Sequence, residues 1–356
     1  MSSSEAIESA FSAHRKLLWG LCYRMSGCAA DADDLLQDTF ERALRNPPTD
    51  QERELRPWLV RVAMNASRDH LRKRKQRGYD GPWLPSPIEV RPGEQSPLSA
   101  ESPEARYCQL ESISFAFLRA AEALSPGQRA VLLLRDVLDL SVRETADALE
   151  MSEANVKTSH HRARTAMRDY DETRRLPSEA NRRAARRALE AFMLHLQAGN
   201  IEALRQLVAD DVLMLNDGGG EFFAARKPLQ GFDKVVLFHQ KVKRLRTGLG
   251  RVALCSFNGS AALMADVPSD RPRVAARTVG WVELDERGRI AEIHWVMATR
   301  KLAHLDWSRL QAPGPRAFGR ALLSAATHPA PMTWAVPAAR RMLGTLFRAA
   351  LSSKTR

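Results

Sequence analysis

A chain of 356 residues with 44% hydrophobic content is long enough for two or three domains with real cores. Its net charge of +12 favours a polyanionic partner, nucleic acid or an anionic membrane surface. The four cysteines (Cys22, Cys28, Cys108, Cys255) have no paired metal-ligand spacing, so no metal site is expected and free thiols fit a reducing compartment. No N-terminal apolar run resembles a signal peptide, and no apolar stretch is long enough to span a bilayer. The expectation is a soluble, cytoplasmic protein with no transmembrane segment.

Residues 5–25 form a helix pattern through Ile7, Phe11, Leu17, Leu18 and Leu21, ended by Ser26-Gly27. Asp31 to Phe40 starts a second helix with acids in its first turn, where the helix dipole favours them. Leu35, Leu36, Phe40, Ala43 and Leu44 can face a core; Asp34, Gln37, Asp38 and Glu41 leave an acidic outer face. Pro47-Pro48 breaks this helix, a polar loop runs to Arg56, and Pro57 opens a third. That helix is apolar at its start (Trp58, Leu59, Val62, Ala66) and densely basic from Arg68 to Arg77, which suits a backbone-tracking DNA contact or a solvated charge run. Gly78–Pro103 reads as a proline-rich linker, within which Tyr79, Trp83 and Leu84 look like docking anchors. Two helices follow over 104–123 and 126–138, the second capped by Ser125.

Leu140–Arg168 then reads as a helix-turn-helix. Ser141 and Glu144 make a capping box, Glu150-Met151 is a turn, and Ser152 caps the next helix. That second helix places Val156, Ala163 and Met167 inside and Lys157, Thr158, His160, His161, Arg162, Arg164 and Arg168 outside. Cations outside and apolar groups inside suit entry into a major groove. An ordinary helical hairpin with a solvated basic face is the competing reading.

Taken together, the stretches DADDLLQDTFERAL, RPWLVRVAMNASRDHLRKRK, LSPGQRAVLLLRD and SVRETADALEMSEANVKTSHHRAR resemble, in order and spacing, regions 2 and 4 of an extracytoplasmic-function (ECF) RNA polymerase sigma factor. GPWLPSP resembles the WLPEP-type linker of those members that carry a fused C-terminal SnoaL-like domain. The resemblance implies a core-polymerase surface at Asp34, Gln37, Asp38 and Phe40, with the β′ clamp helices and the β flap as partners. It implies capture of a flipped −10 base by the Asn46–Arg56 loop. That loop has no aromatic for stacking, so backbone and polar groups would read the base. Asn65, Asp69, Arg72 and Lys73 lie on the helix beside it. It implies −35 reading by Lys157, Thr158, His161 and Arg162, with Arg164 and Arg168 suited to phosphate. The implied fold is two all-α sigma modules, a helical bundle and a helix-turn-helix, followed by an α+β NTF2-like cone. The modules are 1–77, a linker 78–103, 104–172, the cone 173–310 and a basic Ala/Pro/Arg-rich tail 311–356.

The second half supports the cone. A polar, Arg-rich hinge over 171–190 runs into two helices around Gly199-Asn200, the second ended by Asp210-Asp211. Val212–Leu215 is strand-like, Asp217–Gly220 is a turn, Glu221–Ala225 extends again and Val235–Val242 is helical. Val252–Phe257, Ala261–Val267, Val274–Leu284 and Ile290–Met297 are β runs joined at Asn258-Gly259 and Asp285–Gly288, read as a curved antiparallel meander. The Asp217-Gly218-Gly219 turn matches what the fused-domain family carries there. With Trp83 and Leu84 it forms the candidate regulatory set. Phe222, Phe223, Trp281, His294 and Trp295 are candidates to line a pocket or to pack as core, and Asp217 with His294 for acid–base work in a SnoaL-type cyclase. After the last strand the family carries Asn-Pro-Asp-Lys-Leu. Here Ala298–Leu302 keeps only Lys301 and Leu302, which puts in question any contact from this motif back to the helical modules. No acidic residue follows Asp306; Met342–Leu351 is a basic amphipathic pattern within a stretch that reads as disordered.

The function these features imply is promoter-directed initiation with no covalent chemistry, catalytic residue or cofactor, modulated in cis by the cone. Core polymerase and promoter DNA are the partners; a small-molecule ligand of the cone and an anti-sigma factor are further candidates. A helix-turn-helix regulator acting without polymerase and a SnoaL-type enzyme with a DNA-binding appendage are the competing readings.

Overall fold

Residues 3–48, 55–89, 110–174, 178–245 and 250–310 are described by the structure, a computed structural model. The centre of the Asn46–Arg56 loop, the linker from residue 90 on and the 311–356 tail lie outside those residues. The described chain divides into two units. The first holds residues up to Ser178 with two later pieces, Ser256–Ser260 and Ala298–Leu305; the second holds the rest.

In the first unit, α1 (Ser3–Ser26), α2 (Ala29–Arg45) and α3 (Leu55–Arg77) pack pairwise. α2 buries Ala32, Leu35, Leu36, Thr39 and Ala43, the spacing that lines one side of a 3.6-residue helix. The single helix expected over 104–123 is broken. Leu110 and Glu111 are helical, the chain turns at Ser112–Ser114, and α4 (Phe115–Ala121) begins afresh with the Ser114 hydroxyl accepting from Phe117 N. Serine hydroxyls compete with helical backbone bonds and favour such a cap. α5 (Pro126–Asp136) and α6 (Val142–Leu149) each start on a complete capping box, Ser125 with Gln128 and Ser141 with Glu144. Glu150 takes the left-handed conformation (φ 53°) between α6 and α7 (Glu153–Ala166), and the Ser152 hydroxyl accepts from Asn155 N. A short α8 (Arg168–Thr173) follows.

The two helical modules share one core. α3 lies against α5 and α6, and the buried cluster runs from Ile7 through Leu59 and Met64 to Leu133, Val156 and Met167. A partly buried charge cluster spans the same junction. Glu122 accepts from Arg129 Nη1 at 2.5 Å and from Arg74 Nη2 at 2.6 Å. Arg129 is 2% exposed, and its Nε donates to the Arg24 carbonyl at 3.1 Å. Burial works against an ionised Glu122, but the two guanidinium groups outweigh it and hold the carboxyl below its usual range.

In the second unit, α9 (Glu179–Ala198) and α10 (Ile201–Leu207) precede a six-stranded sheet. Its strands are β1 (Val208–Asp217), β2 (Leu229–Gln230), β3 (Arg251–Phe257), β4 (Ser260–Asp266), β5 (Arg277–Leu284) and β6 (Ile290–Val296), in the order β2-β1-β6-β5-β4-β3. α11 (Phe232–Arg244) packs on β1. Three expectations change. The helix before the sheet ends at Leu207, and Asp210-Asp211 are exposed residues inside β1, where the register with β6 shifts. Glu221–Ala225 is not a strand; its Phe223 N donates to Arg273 O, and β2 comes later. β1 runs parallel to β6, so the sheet is mixed: an antiparallel β4-β5-β6 run with a parallel strand added at its edge. Met214, Leu263, Val282, Ile293 and Trp295 form the core with Phe192, Val235 and Val236 of α9 and α11. The architecture is thus two all-α modules followed by an α+β unit built on one mixed sheet.

Glu122→Ala leaves the buried Arg129 guanidinium and the half-buried Arg74 guanidinium without their shared carboxylate. We expect a loss on the order of 3 kcal/mol of stability at pH 7 in urea denaturation. A loss below about 1 kcal/mol would show that the cluster is not what joins the modules.

Candidate functional sites

On α2, Asp34 and Gln37 are exposed. Asp38 pairs with Arg42 at 2.8 Å, and Arg42 also reaches Asp69 on α3 at 3.6 Å. Residues assigned to two different surfaces therefore meet at one guanidinium. Phe40 is half-buried against Phe11, with ring centroids 4.6 Å apart, so part of its ring serves the core. Asp31, not singled out from the sequence, is 13% exposed and accepts from His70 Nε2 (3.3 Å) and Arg300 Nε (2.9 Å). Burial opposes its ionisation, yet those hydrogen bonds and the charge of Arg300 pull its carboxyl down to about 2.

On α3, Asn65 and Asp69 are half-buried while Arg72 and Lys73 are exposed. Asn65 Oδ1 accepts from Arg68 at 3.2 Å, and Asp69 pairs with Arg72 at 3.0 Å. Arg68 also donates to the Leu149 carbonyl at the end of α6, at 3.1 Å. On α7 the two faces separate cleanly. Val156 and Ala163 are buried, with Met167 just past the helix end, whereas Lys157, Thr158, His161, Arg162 and Arg164 are all exposed. Arg164 differs from the others in lying near two carboxylates, Asp136 at 3.3 Å and Asp171 at 3.5 Å. Asp136 also meets His160 at 2.9 Å.

The linker is anchored along Trp83–Glu89. The Trp83 ring faces the Arg74 guanidinium at 4.9 Å and the Lys301 ammonium at 4.4 Å. It also covers Gly27, which has φ 68°; a Cβ there would come within 2.3 Å of the ring, so only glycine fits. Leu84 is fully buried, and its carbonyl accepts from Lys301 Nζ at 2.6 Å. Ser86 N donates to Gly27 O, and Ser86 O accepts from the Tyr23 hydroxyl at 2.7 Å. Asn258 closes the other end. Its Oδ1 accepts from Ile88 N at 2.8 Å, and its Nδ2 donates to the Tyr23 hydroxyl and to Ile113 O, both at 2.7 Å. Lys301 and Leu302, the two retained motif positions, are both buried in this unit. The contact that the motif's divergence put in question is therefore made.

In the second unit, Asp217 is buried and its Oδ1 accepts from Gly219 N at 3.1 Å, which folds the Asp-Gly-Gly turn onto its own first residue. A Cβ on Gly218 would meet Phe222 O at 2.8 Å, so the turn closes only on a residue without one. The aromatic residues read together from the sequence are split. Trp281 lies opposite His294, ring centroids 4.9 Å apart, on one side of the sheet. Trp295, the next residue of β6, points to the other side, where its Nε1 donates to His239 Nε2 at 3.2 Å. Phe223 is 60% exposed beneath the Arg273 guanidinium. His294 Nε2 pairs with Glu292 at 3.1 Å. No described helix is long and apolar enough to cross a membrane.

Comparison with known proteins matches residues 10–77 to sigma-70 region 2 and residues 114–167 to sigma-70 region 4. The chain is 31% identical over 282 residues to the ECF RNA polymerase sigma factor SigJ of Mycobacterium tuberculosis, an alignment covering 76% of this chain and 87% of that one. The chain belongs to the ECF RNA polymerase sigma factors. It is also 35% identical over 227 residues to SigG of the same organism, covering 57% of this chain and 60% of the relative. The crystal structure of SigJ superposes with a TM-score of 0.61 at 26% identity, covering 83% of this chain and 98% of that one. This sigma factor thus shares with SigJ an architecture that extends past region 4.

Sequence reasoning about this sigma factor missed Asp31, Tyr23, Ser86, Asn258 and Arg300. Asn258 was legible only as a hairpin-turn residue; that its amide also holds the linker depends on contacts far apart in the chain. Asp31 yields a pH test. Its folded-state pKa lies below the ordinary 3.8, so its contribution is full above pH 4 and lost as pH falls through about 2. Asp31→Asn should lower stability at pH 7 by on the order of 2 kcal/mol. In denaturant midpoints measured against pH, the gap to the parent should narrow from pH 4 downward. A gap independent of pH would mean that the carboxylate charge contributes nothing.

Proposed function

We propose that this protein recruits bacterial core RNA polymerase to two-part promoters and initiates transcription there, with no covalent chemistry of its own, in the cytoplasm. The modules are residues 1–77 for polymerase and −10 binding, 78–103 as linker, 104–172 for −35 reading, 173–310 as a cis-acting modulator and 311–356 as a basic tail. Asp34, Gln37, Asp38 and Phe40 contact the β′ clamp helices. Asn65, Asp69, Arg72 and Lys73 lie along the −10 strand. Lys157, Thr158, His161 and Arg162 read the −35 element, and Arg164 holds phosphate. The β flap completes the polymerase contact. Trp83, Leu84, Asp217, Gly218 and Gly219 serve the cis modulation. An anti-sigma factor and a small-molecule ligand of the cone rest on the family resemblance alone.

The observation that carries this reading is the pairing of two exposed faces on one sigma-family chain: an acidic face on α2 and a basic one on α7, whose apolar residues are buried behind it. A lysine or arginine contacting guanine in the major groove contributes roughly 1–3 kcal/mol of discrimination. Arg162→Ala or Lys157→Ala should therefore reduce transcription from promoters with an intact −35 element about tenfold or more, while polymerase binding stays at the parent level. Asp34→Ala with Gln37→Ala should do the reverse. Run-off transcription on fragmented genomic DNA, with polymerase binding measured alongside, reads both. Equal loss of both functions in both variants would overturn the assignment. Removing residues from Thr173 onward should change transcript yield; unchanged yield and unchanged polymerase binding would reject modulation in cis.

A further inference from the structure

The acidic face of α2 already has a cation of the same chain on it. The single helical turn Thr299–Leu302 belongs to the first unit and carries Arg300 to the start of α2. Arg300 Nε donates to Asp31 Oδ1 at 2.9 Å, and Arg300 Nη2 bonds Asp34 Oδ2. One guanidinium fork therefore bridges two carboxylates three residues apart on one helix face, the geometry that suits arginine and not lysine.

Arg300 is placed by its neighbours. Lys301 is 4% exposed, its Nζ bonded to Leu84 O and lying 4.7 Å from the Tyr79 ring and 4.4 Å from the Trp83 ring. The Lys301 carbonyl accepts from the Ser86 hydroxyl at 2.5 Å, and Leu302 and Leu305 are buried. With the segment held by those contacts, Arg300 reaches the carboxylates without a further search through conformations. Its own side chain is 56% exposed and that of Asp34 67%, whereas Asp31 is 13% exposed. The Asp31 end is sheltered; the Asp34 end is open to displacement. Position 300 is also where the chain departs in charge from the Asn-Pro-Asp-Lys-Leu motif. An aspartate there would face Asp31 and Asp34 and repel them.

We infer that Arg300 is an internal competitor for the polymerase-binding face of α2, occupying Asp34 until a cationic surface of core polymerase replaces it. The inference rests on the reading of Asp34 as a polymerase contact. Exposed ion pairs are weak, so Arg300 biases binding and does not block it, and its effect is screened by salt.

The test is the equilibrium affinity of the full chain for purified bacterial core polymerase, for the parent, Arg300→Ala, Asp34→Ala and the double variant, at about 50 mM and about 300 mM salt. At low salt, Arg300→Ala should bind roughly twofold to tenfold more tightly than the parent. The gain should shrink at high salt and be absent when Asp34 is already alanine. Arg300→Gln, which removes the charge but keeps a hydrogen-bonding side chain, should show the same gain, so a folding defect particular to the alanine variant would not decide the result. If both Arg300 variants bind no more tightly than the parent while Asp34→Ala still weakens binding, the competition is wrong and the α2 reading stands. If Asp34→Ala leaves affinity unchanged in both backgrounds, the α2 reading fails and the competition falls with it.

Discussion

The Trp83 indole is the contact on which the arrangement of the helical unit depends. One ring touches the glycine that ends α1, faces the arginine near the end of α3, and faces the lysine that follows the last strand. Each of these is a modest interaction; a cation over an aromatic face contributes about 0.5–2 kcal/mol, more as water is excluded. Their joint effect is positional. They hold a proline-rich segment with no helix or strand of its own, so that the Leu84 carbonyl, the Ser86 hydroxyl and the Ile88 amide all find fixed partners. Prolines at 82, 85 and 87 reduce the conformational entropy lost on docking and remove three backbone donors that would otherwise need partners.

A second regularity concerns charge. Each surface that suits a charged partner is partly neutralised from within. Arg42 serves Asp38 and Asp69, Arg300 serves Asp31 and Asp34, and Asp136 with Asp171 serves Arg164. For exposed groups these pairs are weak and readily exchanged. A partner of the right charge can therefore replace them at small cost, while a neutral one gains nothing by doing so. The cluster at Glu122 is of another kind. Arg129 is out of water and Glu122 and Arg74 are only partly exposed, so these charges are less readily exchanged than those of a surface pair.

In the cone, polar residues that would draw attention as catalytic are engaged in structure. Asp217 folds its own glycine turn, His239 accepts from the Trp295 indole, and His294 pairs with Glu292. The same alternation that fills the core with Met214, Ile293 and Trp295 sends Trp281 and His294 to the opposite side of the sheet. A constellation read from neighbouring sequence positions is divided by the pleat of the strand.

The sequence by itself determined the local features of this protein. The cap at Ser125, the capping box at Ser141, the turn at Glu150 and the inner face of α7 depend on side chains close together in the chain, and all appear where the sequence places them. So do the β runs of the meander, whose two-residue turn at Asn258-Gly259 takes the two positive φ angles that such turns need. Anchoring by Trp83 and Leu84 was legible as an oddity of composition, though not its target. What only the tertiary structure decided was pairing over long separations. β1 joins the sheet parallel to β6 because the strand entering from the helices meets the free edge of the meander, a choice that no local pattern encodes. Arg300 meets Asp31 and Asp34 across more than 260 positions, and Asn258 meets Tyr23 across 235. Hydrogen bonds and ion pairs of this kind have no sequence period. They exist only where burial of other residues, here Lys301, Leu302 and Phe257, has already brought the backbone into place.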